Sequence, residues 1–120
     1  MRILVVDDDR NTREMLSEIL RFYDAEVKTA ESGVAAIRLY QCWSPSLLIS
    51  DLGMADEDGY DLIRNIRAIE NVPTTTAIAI TGYARDEDRE RALSAGFNMF
   101  LSKPVDLDKL VGLIASIGQD

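Results

Sequence analysis

Five polar side chains come shortly after four apolar segments of this 120-residue sequence. Asp7 and Asp8 follow residues 3–6, Asp51 follows 47–49, Thr81 follows 77–80 and Lys103 follows 99–101. A carboxylate can attack phosphorus as a nucleophile and form an acyl phosphate. A lysine ammonium group can stabilise the charge that develops on phosphoryl oxygens, and a threonine hydroxyl can donate a hydrogen bond to one of them. Together these residue types are suited to placing a phosphoryl group on an aspartate.

The three carboxylates also predict a metal site. Asp7, Asp8 and Asp51 would repel one another if they were held close together, and at least one of them would then have a raised pKa. A hard divalent cation relieves that repulsion. A site with oxygen ligands and few protein anchors suits Mg²⁺, which keeps several waters and accepts phosphate oxygens. We therefore expect Mg²⁺ as the cofactor.

The composition excludes several other kinds of chemistry. The sequence has no histidine, which excludes Ser-His-Asp catalysis, histidine zinc sites and a phosphohistidine within this chain. Cys42 is the only cysteine, so an intramolecular disulfide is impossible, and we expect a buried, unreactive thiol. The formal net charge of −8 argues against binding to nucleic acid.

The length and the start of the sequence predict a single cytoplasmic domain over residues 1–120. No apolar run approaches the roughly 20 residues of a membrane helix, so we expect no membrane contact. Residues 1–7 become acidic too early for a signal peptide.

The elements that must position the polar residues follow an alternating pattern. Apolar runs at 3–6, 47–49, 77–80 and 99–101, with an alternating segment at 26–30, predict five strands. Helical periodicity follows each strand, and the candidate N-caps are Asn11 or Asp9, Ser32 and Asp106. Five βα units in a row predict an α/β fold with a mainly parallel sheet and helices on both faces. Since the carboxyl ends of parallel strands share one edge, the polar residues should meet there.

The expected inward stripes include Met15, Leu16, Ile19 and Leu20 in the first helix, Val34, Ile37 and Tyr40 in the second, Leu62, Ile63, Ile66 and Ile69 in the third, and Leu107, Leu110, Val111, Ile114 and Ile117 in the last. Asp58 and Asp61 lie where the third helix should begin, and Gly118 should end the last one. The fourth helix, about 86–95, is mostly charged, with only Ala92 and Leu93 expected inside and Gly96 ending it. A helix with so little burial is weakly anchored.

Each polar feature has an ordinary structural explanation when it is taken alone. An acidic pair after a strand is typical of a helix cap, Thr81-Gly82 of a turn, and Lys103-Pro104 of a loop that enters a helix. Their joint placement at the ends of four strands favours a functional site.

These residues resemble the receiver domains of bacterial response regulators over nearly the whole chain. The matching segments, in order, are Val6-Asp7-Asp8, Ser50-Asp51-Leu52-Gly53-Met54, Asp58-Gly59, Ile80-Thr81-Gly82 and Lys103-Pro104. Segments 81–89 and 103–106 look most like receivers at the C-terminus of hybrid sensor histidine kinases. Each segment is weak evidence alone, but this order of segments is highly specific.

The resemblance implies a CheY-like, flavodoxin-like (βα)5 fold with strand order 2-1-3-4-5. It implies that Asp51 is the phosphoacceptor, and that Asp8, Asp51 and the backbone carbonyl of Gly53 ligate Mg²⁺, with Asp7 acting through water. Thr81 and Lys103 would contact the phosphoryl group.

The resemblance also implies a two-state switch. Thr81 would move toward the phosphoryl group and Phe100 would turn inward, which reshapes the face made by the fourth helix, fifth strand and fifth helix. The peptide bond between Lys103 and Pro104 is expected to be cis.

Two positions depart from the family's usual pattern, and two others affect how long the phosphoryl group persists. Ala55 stands where proline is usual and implies a less rigid loop, and Glu57 replaces a usual apolar residue. Gly53 and Tyr83 occupy the two positions that tune phosphoryl lifetime in the family. Because Gly53 has no side chain to guide water and Tyr83 could shield the site, we expect a long-lived phosphoryl group.

The partners implied are a phosphohistidine donor, either a histidine kinase or a phosphotransfer domain, and a downstream protein or attached domain. A phosphorylation-dependent homodimer through the fourth and fifth helices is one option, although the charged run 86–91 is more typical of a solvated face. The chain would be either a stand-alone receiver or a module of a hybrid kinase.

A Ca²⁺-binding loop is one alternative. Asp7, Asp9, Asn11 and Glu18 lie at positions 1, 3, 5 and 12 of an EF-hand loop. Thr12, however, stands at the sixth position, where glycine is needed, and an apolar strand precedes the loop where a helix is required.

Two further alternatives are a phosphatase and a flavin-binding protein. An aspartate-nucleophile, Mg²⁺-dependent phosphatase of the haloacid dehalogenase type would also use a strand-end aspartate, but it leaves Asp51 and Lys103 without a role. An FMN-binding flavodoxin-like protein needs donors in its first strand–helix turn, and the acidic segment 7–12 would repel its phosphate.

Overall fold

The computed structural model describes residues 1–54, 59–69, 75–82 and 85–117. Strands and helices alternate along it: β1 Arg2–Val6, α1 Arg10–Phe22, β2 Glu26–Ala30, α2 Gly33–Trp43, β3 Leu47–Asp51, α3 Gly59–Ile69, β4 Thr76–Thr81, α4 Asp86–Ala95, β5 Met99–Ser102 and α5 Leu107–Ile117. The predicted succession of five βα units is confirmed.

The five strands form one parallel sheet in the order β2-β1-β3-β4-β5. The predicted flavodoxin-like topology is therefore confirmed. The register pairs Val6 with Ser50, Asp51 with Ile80, and Thr81 with Ser102. This register brings the carboxyl ends of β1, β3, β4 and β5 to one edge of the sheet.

Helices cover both faces of the sheet because successive strand residues point to opposite sides. One core cluster joins Leu4 and Val6 of β1 to α2, α3 and α4. The other joins Ile3 and Val5 to α1 and α5, chiefly through Leu16, Leu20 and Leu110. β3 is buried along its whole length, as expected for a central parallel strand.

Local hydrogen bonds fix the helix ends. Asp9 caps α1, because its carboxylate accepts hydrogen bonds from the backbone N–H and hydroxyl of Thr12 at 3.3 and 2.6 Å. Ser32 Oγ accepts from the N–H of Ala35 at 3.2 Å. The predicted caps at these positions are confirmed, and Gly96, with φ of +130°, ends α4 as predicted. Asp58 and Gly118 lie outside the described residues.

Several residues expected inside the protein are exposed. In α2 the buried positions are Gly33, Ala36 and Tyr40, so the stripe is rotated away from Val34. The expectation of a buried Cys42 is wrong, because its thiol is exposed on α2 and donates a weak hydrogen bond to the carbonyl of Leu39. In α4 Ala92 is buried, but Leu93 points to solvent. Met15, Ile69 and Leu107 are also exposed.

Candidate functional site

Asp7 lies at the end of β1, where backbone and side-chain contacts hold it. Its backbone N–H donates to the carbonyl of Ala30 at 3.1 Å, and its Oδ1 accepts from the N–H of Asp9 at 2.9 Å. Arg13 Nη1 donates to the carbonyl oxygen of Asp7 at 2.8 Å. The carboxylate is only 2% exposed. A buried carboxylate that accepts so few hydrogen bonds is stabilised further when it binds a cation.

Asp7, Asp8 and Asp51 form one acidic cluster, as predicted. Each offers a carboxylate oxygen, and these oxygens all lie within 4.8 Å of one another. Asp7 and Asp51 are buried, whereas Asp8 is exposed at the mouth of the cluster. Opposite oxygen ligands of an octahedral Mg²⁺ lie about 4 Å apart, and such an ion prefers carboxylate oxygens. The donor set and its spacing therefore fit Mg²⁺.

Lys103 reaches this cluster from the loop after β5. Its Nζ lies 3.1 Å from Oδ2 of Asp7 and 3.5 Å from Oδ2 of Asp51. The backbone N–H of Lys103 donates to the carbonyl of Thr81 at 2.8 Å, and the Lys103-Pro104 peptide bond is cis. The ammonium group is thus shared between two carboxylates.

Burial, hydrogen bonds and neighbouring charges together shift the pKa values of Asp7 and Lys103. Burial raises the pKa of Asp7 above its ordinary 3.8, and the charge of Asp51 raises it further, against the opposing hydrogen bonds from Asp9 and Lys103. Partial burial disfavours the charged form of Lys103, but the hydrogen bond to Asp7 and the charge of Asp51 outweigh it, so its pKa is raised. One lysine does not compensate the cluster's negative charge.

The segment after Asp51 is packed closely against α3. The N–H of Gly53 donates to Oδ1 of Asp51 at 3.1 Å, and the N–H of Gly59 donates to the carbonyl of Leu52 at 3.0 Å. A Cβ at Gly59 would lie 2.6 Å from the carbonyl oxygen of Asp51 and 3.0 Å from Cα of Leu52. Only glycine allows the first turn of α3 to approach the acidic strand end so closely.

Thr81 and Phe100 lie on the neighbouring strands. Thr81 is the last residue of β4, is buried, and belongs to the same sheet edge as the acidic cluster. Phe100 is half-buried on β5 and packs against the α2-α3-α4 side of the core. It lines a groove with Arg85, which precedes α4, Arg89 of α4 and Lys109 of α5. Tyr83, like Ala55 and Glu57, lies outside the described residues.

Arg13 is a site residue that the sequence did not indicate. Its partner is a backbone carbonyl, which any residue at position 7 would supply, so no residue type signals the contact. Asp9 was expected as a helix cap or, in the Ca²⁺-loop alternative, as a ligand, and the hydrogen bond from the Thr12 hydroxyl lowers its pKa.

A family model describing the response regulator receiver domain matches residues 3–115. The chain belongs to the response regulator receiver family. The family, the fold and the order of the site-bearing segments all agree. The receiver is thus a signalling domain. Membership of this family argues against the phosphatase and FMN-binding alternatives. The Ca²⁺-loop alternative also fails, because α1 begins at Arg10 inside the segment that would form the loop.

Relatives of the receiver include both short and long proteins. It is 45% identical over 114 residues to a 14.6 kDa protein of the sodA1 3′ region of Leptolyngbya boryana, covering 95% of this chain and 87% of that protein. It is 36% identical over 115 residues to the sensor histidine kinase RcsC of Salmonella typhi, covering 96% of this chain but 12% of RcsC. The receiver therefore spans about an eighth of that kinase.

Solved structures agree with the fold. The chemotaxis protein CheY4 of Vibrio cholerae superposes with a TM-score of 0.90 at 25% identity, covering 97% of each chain. A putative response regulator from Chloroflexus aurantiacus gives a TM-score of 0.86 at 31% identity, covering 97% of this chain and 95% of that one. No helix within the described ranges has the length and apolar character needed to cross a membrane.

Proposed function

We propose that the receiver is the phosphoacceptor of a two-component phosphorelay and takes a phosphoryl group from a phosphohistidine donor onto Asp51. The observation that carries this proposal is the convergence of Asp51 with Asp7, Asp8 and Lys103 at the carboxyl edge of the sheet. Of the clustered acids, Asp51 lies on the central strand β3, with α3 packed against the strand end behind it.

Mg²⁺ is the proposed cofactor. Asp8, Asp51 and the carbonyl of Gly53 would hold the ion, with Asp7 acting through water. The bound ion would neutralise charge on the phosphoryl oxygens and bring them to the acidic cluster. The clustering of three carboxylates beside a single lysine supports this assignment, because Lys103 offsets only part of their negative charge.

The transfer itself uses groups of this chain. A carboxylate oxygen of Asp51 attacks phosphorus, the new O–P bond forms, and the N–P bond to the donor imidazole breaks with its electron pair returning to that nitrogen. Lys103 offsets the charge on the phosphoryl oxygens, and the Thr81 hydroxyl donates a hydrogen bond to one of them. Lys103 is already placed for this role, 3.5 Å from Asp51.

The output is proposed to be a rearrangement of the face made by α4, β5 and α5. Thr81 moves toward the phosphoryl group and Phe100 turns inward, toward the core cluster that it already contacts. Support comes from α4, whose described residues bury only Ala92, so little apolar burial opposes its movement. A downstream protein or an attached domain would bind the changed face.

The same proposal includes the lifetime of the phosphoryl group, the kind of donor and the cellular location. Gly53 leaves open space where other residues would place a side chain, so it offers no group to position an attacking water, and a long phosphoryl lifetime follows. The donor is a histidine kinase or a phosphotransfer domain. The cytoplasmic location remains a prediction.

The proposal is tested by intact-protein mass after incubation with Mg²⁺ and acetyl phosphate. The parent should gain one phosphoryl group, and Asp51→Asn should gain none. Asp24→Asn is the matched control, because Asp24 lies in an exposed turn with φ of 65°, a conformation that asparagine also adopts. Sustained hydrolysis of phosphate esters without a stable adduct would instead favour the phosphatase alternative.

A further inference from the structure

The outer surface of α1 and α5 carries more apolar side chains than the core uses. Along α1 they recur at i, i+4 and i+7 as Met15, Ile19 and Phe22, and along α5 at i and i+4 as Leu107 and Val111. The inward sides of the same helices already fill the core with Leu16, Leu20 and Leu110. A second apolar stripe on each of two neighbouring helices is typical of a helix that packs on both sides.

Most of the exposed large apolar residues lie on this surface. Among the described residues, eight large hydrophobic side chains are exposed, and five belong here: Met1, Met15, Phe22, Tyr23 and Leu107. We call this surface the α1/α5 face. The other three are dispersed singly, one each on α2, α3 and α4. Single exposed residues are normal, whereas a contiguous group of this kind marks an interaction site.

The α1/α5 face contains a projecting ring beside two hollows. Phe22 is 81% exposed and packs edge-to-face on Tyr23, with ring centroids 5.3 Å apart. One hollow, of about 420 Å³, lies between Phe22, Tyr23, Leu107 and Val111, and Glu18 and Asp108 also line it. The other, of about 260 Å³, continues past Tyr23 and Val111 toward Ile114. A projection next to a hollow on one face is the arrangement that a two-fold axis can satisfy reciprocally.

The amount of apolar surface agrees with a small dimer. At roughly 200 Å² for a full aromatic side chain, the exposed parts of Phe22 and Tyr23 offer about 280 Å² per copy. Met1, Met15 and Leu107 add on the order of 100 Å². Two copies would therefore bury about 800 Å² of apolar surface, and with a polar rim the total exceeds the roughly 1,000 Å² of a specific interface.

We propose that the α1/α5 face is a homodimer interface in which Phe22 of each copy enters the hollow between α1 and α5 of the other. We expect the dimer to form without phosphorylation, because α1 and α5 pack through Leu16, Leu20 and Leu110 on the opposite side of the sheet from the cluster that Phe100 contacts, although α5 also borders the output face. The inference therefore stands or falls separately from the proposed function.

Electrostatics distinguish this dimer from one held by ion pairs. Each chain has a formal net charge of −8, so two copies repel one another. An apolar interface between them should strengthen when salt screens that repulsion. An interface made by the charged surface of α4 should weaken under the same conditions.

The test is sedimentation equilibrium of the full chain from low micromolar to near-millimolar concentration, with and without added salt. The parent should shift from monomer to dimer, and salt should lower the dissociation constant. Phe22→Glu should raise that constant by about 30-fold or more, since buried aromatic residues dominate such interfaces and this one occurs twice. Met15→Glu is a second variant on the same face.

Two controls make the result decisive. Val34→Glu changes an exposed apolar residue on α2, outside the α1/α5 face, and should dimerise like the parent, and Asp51→Asn should do so as well. A chain that stays monomeric throughout, a dimer that both face variants leave intact while they remain folded by circular dichroism, or a dimer that forms only after phosphorylation would overturn the proposal.

Discussion

Lys103 lies 96 positions after Asp7 in the sequence, yet its ammonium nitrogen lies 3.1 Å from a carboxylate oxygen of Asp7. β1 and β5 are not neighbours in the sheet, so the lysine side chain reaches across the carboxyl ends of the strands between them. On that path it also approaches Asp51. The site thus depends on the strand order, which brings the first and last strands within reach of the central one.

Replacing Asp7 with asparagine should stabilise the metal-free protein at neutral pH. Burial raises the pKa of Asp7, so the folded state holds a proton there to higher pH than the unfolded state does. The free energy of unfolding therefore falls as the pH rises from the ordinary value of 3.8 through the raised pKa. Asp7→Asn lacks this titration, and its advantage should be small below that interval and full above it.

The measurement for Asp7→Asn is urea unfolding in chelator at several pH values, with Asp24→Asn in an exposed turn as the control. Adding Mg²⁺ should stabilise the parent more than the variant, because only the folded state assembles the acidic cluster. An advantage that shrinks with rising pH would contradict the direction given for Asp7.

Replacing Gly59 with alanine should destabilise the receiver by about 1–3 kcal/mol, as overpacking usually does. The added Cβ would meet the carbonyl oxygen of Asp51, which is backbone and cannot move aside. Gly112→Ala in α5 is the matched control, since its Cβ has open space, and it should stabilise by up to about 1 kcal/mol. Thermal unfolding of both variants checks this, and equal behaviour of the two would argue against the close approach at Gly59.

Replacing Arg67 with methionine should cost about 2–3 kcal/mol of stability, because charged hydrogen bonds to partly buried carbonyls are lost. The guanidinium group donates to the carbonyl of Gly96 through Nε and Nη2 and to that of Thr75 through Nη1 at 2.7 Å. It joins α3 to the end of α4 and the start of β4. Arg64→Met should cost less than about 0.5 kcal/mol, because the contact that Arg64 makes among the described residues is an exposed ion pair with Asp61. Denaturant unfolding measures the free energy of unfolding of both variants, and a similar loss in the two would contradict this role of Arg67.

Replacing Arg91 with alanine should loosen α4. The guanidinium carbon of Arg91 lies 4.0 Å from the ring centroid of Tyr60, whose hydroxyl donates to the carbonyl of Asp88 at 3.4 Å. A cation–π contact of about 0.5–1 kcal/mol corresponds to roughly two- to five-fold faster amide exchange in α4. Arg89→Ala on the exposed side should change exchange less. Unchanged exchange in Arg91→Ala would mean that other contacts hold the helix.

The sequence was sufficient for the architecture because each strand and helix has its own local pattern. The buried run that became β3 and the caps at Asp9 and Ser32 are determined by neighbouring residues. The meeting of Asp7, Asp8 and Asp51 followed from one rule, that parallel strands end at a common edge. The strand order itself came from the family resemblance rather than from periodicity.

Features that depend on three-dimensional packing could not be predicted. Periodicity does not tell which of two apolar stripes on a helix faces the sheet, so Met15 and Leu107 were expected inside and lie outside. The same limit explains the exposed Val34. The Arg67 contacts with Gly96 and Thr75 end on backbone carbonyls, which have no sequence signature.

The central claim, that Asp51 receives the phosphoryl group, is tested most directly by locating the acyl phosphate. Borohydride reduces a phosphorylated aspartate to homoserine, and trypsin places Asp51 in the peptide 39–64, apart from Asp7 and Asp8 in the peptide 3–10. After treatment with acetyl phosphate and Mg²⁺, mass spectrometry should find homoserine at position 51 alone, and none when a chelator replaces Mg²⁺. Homoserine at position 7 or 8, or equal labelling of Asp51→Asn, would contradict the account.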